Sequence, residues 1–152
     1  MSNVIFNRHG RIGGRWQAGF TLIEMMIVVV IIAILASIAW PSYIKQVTKT
    51  NRVAAEACLS QYANYMERYY TSNLRYDQSA AATPVANTPP ALDCAATSQT
   101  GNNYTYSLSA SAASTFTFQA VPKGAQQTRD TMCGTLSLDQ AGNRLPTTVG
   151  CW

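Results

Sequence analysis

From Phe20 to Trp40 the sequence reads FTLIEMMIVVVIIAILASIAW, and Glu24 is its one charged residue. These 21 residues, at about 1.5 Å each, make a helix of roughly 31 Å, which matches the hydrocarbon thickness of a bilayer. A helix apolar on every face exceeds what a domain of this size can cover, so a buried helix of a soluble protein is disfavoured. A secretory signal peptide cut after Ala39 has small residues, Ser37 and Ala39, at the usual positions. Against it, the stretch is long for a signal's apolar region and carries a carboxylate near its start. The remaining reading is a retained anchor in which Glu24 has a function, because a charge in a membrane helix costs about 2.5–3.5 kcal/mol at the centre and less near an end.

Charge and cysteine placement agree on topology. Arg8, Arg11 and Arg15 precede the run and no acidic residue does, so the positive-inside rule predicts an N-terminus in the cytoplasm. From Phe20 onward eight basic residues face seven acidic ones, too balanced for a strongly basic nucleic-acid surface in bulk. Cys58, Cys94, Cys133 and Cys151 all follow the run, none in a C-x-x-C pair, and His9 is the only histidine. A zinc site would lack its close ligand pairs, whereas an even set of separated cysteines across a membrane reads as two disulfides. Neither a metal nor a cofactor is indicated. No glycine-rich phosphate loop or carboxylate pair stands out, so an enzyme is not expected.

The segment Gly19-Phe20-Thr21-Leu22-Ile23-Glu24 resembles the processing motif of type IV prepilins: a Gly, a cut, a Phe, and a Glu at the fifth mature position. The leader of 19 residues is longer than the most familiar pilin leaders. The resemblance implies a prepilin peptidase cutting between Gly19 and Phe20, N-methylation of Phe20, and pairing of the new amine with Glu24 of a neighbouring subunit in an apolar filament core. Two costly charges would then offset each other. An interfacial Glu24 snorkelling toward water is the plainer alternative. Pro41 removes one helical hydrogen bond and should kink or loosen the helix near Ser37, where pilin helices can melt; a simple kink at the membrane exit is as good a reading.

Helical spacing continues past Pro41. Val53, Ala54, Ala57, Cys58, Tyr62, Tyr65 and Tyr69 form one expected apolar stripe, giving a helix from about Thr21 to Thr71 with a sheet packed on the seam. Lys45, Lys49 and Arg52 are expected to be solvated or to face headgroups. Residues 77–102, with Pro84, Pro89 and Pro90, read as a loop. Alternation at 104–109, 115–121 and 134–139, and a turn at 140–143, predict three or four antiparallel strands. The expected architecture is therefore α+β, the type IV pilin fold. A long N-terminal helix, half transmembrane, packs on the sheet, and a disulfide closes the C-terminal segment. The division is leader 1–19, transmembrane and filament-core helix 20–40, amphipathic half 41–73, and head 74–152, with its loop at 74–102 and its sheet and C-terminal segment at 103–152. Four cysteines allow three pairings; Cys58–Cys94 with Cys133–Cys151 is preferred because both join neighbours in that fold.

A structural subunit follows as the first functional reading, anchored in the inner membrane with its head in the periplasm and then polymerised through its helix into an extracellular pilus. Tyr65–Asn73, Arg75-Tyr76, Cys133–Asp139 and the ending Cys151-Trp152 look like PilE-type minor pilins. That resemblance implies a role in pilus assembly supporting twitching motility, adhesion or DNA uptake. Its partners would be other pilin subunits, the prepilin peptidase and N-methyltransferase, and the inner membrane. A ComP-like pilin binding extracellular DNA is the second reading. Lys123, Arg129 and Arg144 are its candidate contacts, with Trp152 to stack on bases, although three such cations are ordinarily a solvated surface. A major pilin shares the same helix. A type II secretion pseudopilin ranks third, since two disulfides suit a pilus subunit better.

Overall fold

Residues 19–152 are described in a computed structural model. Residues 1–18 of the expected leader, with Arg8, His9, Arg11 and Arg15, lie outside the described residues. The chain divides into two units, one ending at Ala39 and one spanning Trp40–Trp152.

One helix, α1 (Leu22–Asn73), runs unbroken through Pro41. It starts at Thr21, whose Oγ1 accepts the N–H of Glu24 at 3.3 Å and so satisfies one of the free donors of the first turn. In the first unit every described residue is exposed, and this part of α1 is long and apolar enough to cross a membrane. The helix ends where Asn73 Nδ2 donates to the Tyr69 carbonyl and Leu74 takes a left-handed φ of 55°, a seat that favours glycine.

In the second unit α1 buries Ala55, Cys58, Leu59, Tyr62 and Met66. This corrects the expected stripe. Cys58 and Tyr62 belong to it, but Val53, Ala54 and Ala57 are exposed and Tyr65 and Tyr69 only half-buried. Alanine and tyrosine are common on either face of a helix, and it is Ala55, Leu59 and Met66 that complete the three- and four-residue spacing around Cys58 and Tyr62.

A short 3-10 turn, Asp93–Ala95, interrupts the loop, and Gln78 and Ala86 form an isolated bridge across it. Gly101 is needed there, because a Cβ would collide with the backbone of Ala95 and Ala96. Four strands, β1 (Tyr104–Ser111), β2 (Phe116–Pro122), β3 (Leu136–Asp139) and β4 (Arg144–Leu145), form an antiparallel sheet in chain order. A register shift between Leu108 and Ala110 disturbs β1. Phe116, Phe118, Ala120, Leu136 and Leu138 point into the core. Tyr62 stacks on Phe118 at 4.3 Å between ring centroids, and Tyr76 meets Phe116 edge-on at 4.9 Å.

Disulfides join Cys58 to Cys94 and Cys133 to Cys151, each with Cα atoms 5.5 Å apart. The first fastens the loop to α1; the second ties the C-terminus to the turn that precedes β3. A short helix, α2 (Gly124–Arg129), fills the connection from β2 to β3, where the residue pattern predicts none. Six residues are too few to show a helical period.

Candidate functional site

The N-terminal end of α1 carries the processing and assembly candidates. Gly19 and Phe20 precede the helix and are exposed, Phe20 at 76 %. A Cβ on Gly19 would meet nothing within 4 Å, so packing among the described residues does not require glycine there. Glu24 is exposed in the first turn, with its N–H held by Thr21. Thr21 thus caps the helix through the backbone N–H of Glu24, which leaves the Glu24 carboxylate free of this turn. Beyond it Ile27, Ile31, Ile34 and Ile38 stand more than half exposed on a helix that offers apolar side chains all round. So large an uncovered apolar surface is unstable in water and needs lipid or other helices.

The head holds a buried polar network that joins α1 to α2. Arg52 Nη1 donates to Asp130 Oδ1 at 2.6 Å, and Nη2 donates to the Gly150 carbonyl at 2.8 Å. Gln126 Nε2 lies 3.0–3.1 Å from the Thr48 carbonyl, the Tyr104 hydroxyl and Asp130 Oδ2. Burial pushes the Tyr104 phenol well above its ordinary pKa. The expectation of a solvated or headgroup-facing Arg52 is corrected: its side chain is 8 % exposed and bound to Asp130. The partner lies 78 residues away in sequence, and no local pattern announces it. Gln126 and Asp130, both buried, are not marked by any local pattern for the same reason.

Lys123, Arg129 and Arg144 line three different hollows. Lys123 borders one of about 390 Å³ beside Tyr62, Tyr106, Pro89 and Pro90. Arg129 borders one of about 280 Å³ with Lys45, Lys49 and Arg52. Arg144 borders one of about 260 Å³ with Glu56 and Trp152, its guanidinium 5.3 Å from the indole centroid. In that last hollow burial pushes the Glu56 carboxyl above its usual range, and Arg52 and then Arg144 pull the other way. Among the described residues no group of three or more His, Cys, Asp or Glu side chains converges on a metal position.

Two family descriptions match the chain. Residues 41–137 fit "Type IV minor pilin ComP, DNA uptake sequence receptor", and residues 17–40 fit "Prokaryotic N-terminal methylation motif". The chain is 32 % identical over 114 residues to the type IV wide pilus major component PilA4 of Thermus thermophilus, covering 72 % of this chain and 86 % of that protein. It is 31 % identical over 86 residues to the type II secretion system core protein G of Pectobacterium carotovorum, covering 57 % and 54 % respectively. A solved type IV pilin from Shewanella oneidensis is 32 % identical and superimposes with a TM-score of 0.47, covering 69 % of this chain and 97 % of that one. An exposed apolar helix, a four-stranded sheet with a disulfide in its C-terminal part, and matches that together span residues 17–137 lead to one conclusion: the chain belongs to the type IV pilin family.

Proposed function

We propose that the chain is a minor subunit of a type IV pilus, acting as a structural and interaction protein and not as an enzyme. The observation that carries the pilus reading is the apolar helix of the first unit, which no side chain covers among the described residues. In this reading a peptidase cuts after Gly19, the amine of Phe20 is methylated, and Glu24 meets that amine on a neighbouring subunit. Before assembly the subunit spans the inner membrane once, leader inward, with the head in the periplasm. Residues 1–19 are the leader, 20–40 the membrane and filament-core segment, 41–73 the amphipathic half, and 74–152 the head. Pro41 is the place where the helix would loosen on assembly.

The minor role is favoured by the match of residues 41–137 to a minor-pilin family; the relative from Thermus thermophilus is a major component and marks the competing role. Mass spectrometry of sheared surface filaments tests both. A trace-level peptide beginning at N-methylated Phe20 is the expected result. The same peptide as the dominant species would make this the major subunit, and mature protein starting at Trp40 free in the periplasm would remove the filament reading.

The family description as a DNA uptake sequence receptor favours a second reading, in which the head recruits extracellular DNA. Lys123, Arg129 and Arg144 would supply the phosphate contacts and Trp152 a stacking surface. Competition binding with duplex DNA at two salt concentrations tests it. Binding that weakens steeply with salt is expected of phosphate contacts, and absent or salt-insensitive binding would remove the DNA reading while leaving the pilus one intact.

A further inference from the structure

We infer that the hollow between the start of the second unit's helix and the end of α2 is a binding site for the phosphate of an anionic lipid headgroup. Lys45, Lys49 and Arg52 lie on one helical face at spacings of four and three residues, and Arg129 closes the hollow from the last turn of α2. Its volume of about 280 Å³ is just below that of pockets for drug-sized ligands and suits a single headgroup. The floor is the buried Arg52–Asp130 pair, and Glu56, which lines a different hollow, lies 4.0 Å from Arg52 Nε, so the Arg52 charge is fully answered. Lys45, Lys49 and Arg129 are then left uncompensated, for none of them enters an ion pair among the described residues. Three free cations around one hollow with a neutralised floor select an anion, and Met132, 62 % exposed on the rim, offers the apolar contact that a glycerol backbone would use.

Position along the helix selects the source of that anion. Lys45 and Lys49 stand five and nine residues past Trp40, or about 8 and 14 Å along the axis. The headgroup zone reaches roughly 5–8 Å beyond the hydrocarbon on each side, so Lys45 is at its outer edge and a lysine side chain spans the rest. Trp40 and Tyr43, 67 % and 61 % exposed with rings 6.4 Å apart, are the aromatic residues that favour such an interface. Cations gathered just past the span on the translocated side run against the ordinary charge bias of membrane proteins, and a bound headgroup accounts for them. This inference rests on the membrane topology proposed above.

The test uses the full-length protein in neutral detergent micelles, titrated with short-chain phosphatidylglycerol and followed by amide chemical shifts. Saturable shifts confined to residues 44–52 and 129–132 are expected, absent with phosphatidylcholine of the same chain length and much weaker with inorganic phosphate. Lys45→Gln, Lys49→Gln and Arg129→Gln should each weaken binding about fivefold, the equivalent of roughly 1 kcal/mol per cation at an anionic surface, with the head's remaining shifts unchanged. Equal response to the neutral and anionic lipids would overturn the proposal, as would unchanged affinity in the triple variant. So would duplex DNA perturbing the same amides more tightly than the lipid does. Filament assembly plays no part in this readout, so failure here and failure of the pilus reading are separate results.

Discussion

The two halves of α1 use apolar residues for opposite ends. Up to Ala39 the helix presents isoleucine, valine and leucine on every side, and all of them are exposed. Past Trp40 it alternates, turning Ala55, Leu59, Tyr62 and Met66 inward and Glu67 and Arg68 outward. A helix with one apolar face finds its partner in its own chain; a helix apolar all round must find it elsewhere. The difference also separates two kinds of charge. Glu24 has no opposite charge within the chain among the described residues, while Arg52 is enclosed with Asp130. The first half stores interactions for an assembly, and the second spends its interactions holding a head together.

Breaking that distinction begins with the disulfides. Closing loops of these lengths contributes about 4 kcal/mol for Cys58–Cys94 and about 3 kcal/mol for Cys133–Cys151 in the chain-entropy picture, against a total domain stability of roughly 5–15 kcal/mol. Replacing all four cysteines with alanine should unfold the head in denaturant at far lower concentration, while circular dichroism in micelles keeps the helical signal of residues 22–39. Simultaneous loss of both signals would mean that the halves are not independent.

Arg52→Met comes next. It leaves Asp130 charged, buried and without its partner, which should cost about 3–5 kcal/mol of head stability, and Arg52→Met with Asp130→Leu should recover most of it. A double-mutant cycle by urea denaturation measures the coupling, and additivity would sink the idea that the pair fastens α2 to α1.

Glu24→Gln makes the opposite cut. Head stability should change by less than about 0.5 kcal/mol, as for surface sites, yet incorporation into filaments should be lost. Normal incorporation would show that the Glu24 carboxylate plays no part in assembly.

The head's pH profile should be flat in the middle and fall at both ends. Hydrogen bonds from Asn143 hold Asp139, and the Arg75 guanidinium holds Asp77, below the usual carboxylate range. Their stabilisation is present above the unfolded pKa near 4 and is lost as the pH falls through the folded values. Glu56, pushed up by burial, works weakly in the other direction. Burial pushes the Tyr76 phenol up to about 12, so stability present below the unfolded value near 10 is lost as the pH rises toward 12. Denaturant midpoints measured across pH should trace this shape, and a steady rise or fall through neutrality would contradict it. The smallest effect is local. Leu74→Gly should stabilise by about 0.5–1 kcal/mol, because glycine takes a φ of 55° without the penalty leucine bears there.

Sequence by itself determined what is local or periodic. Unbroken hydropathy from Phe20 to Trp40 predicts a helix that a domain of this size cannot cover, and Gly19-Phe20 with Glu24 carries the family resemblance. Phe116, Phe118 and Ala120 alternate with Thr117 and Gln119, and a period of two is sufficient to set the inward face of β2. Tertiary structure alone decided what depends on distant partners. Which face of α1 is buried between residues 53 and 66 was settled by the sheet against it, since alanines and tyrosines lie on several faces. The burial of Arg52 depended on Asp130 and Gly150, and the place of Gln126 on a six-residue helix too short to leave a period. Charge pairing across 78 residues leaves no mark on the neighbours of either partner, so only the folded chain could bring Arg52 and Asp130 together.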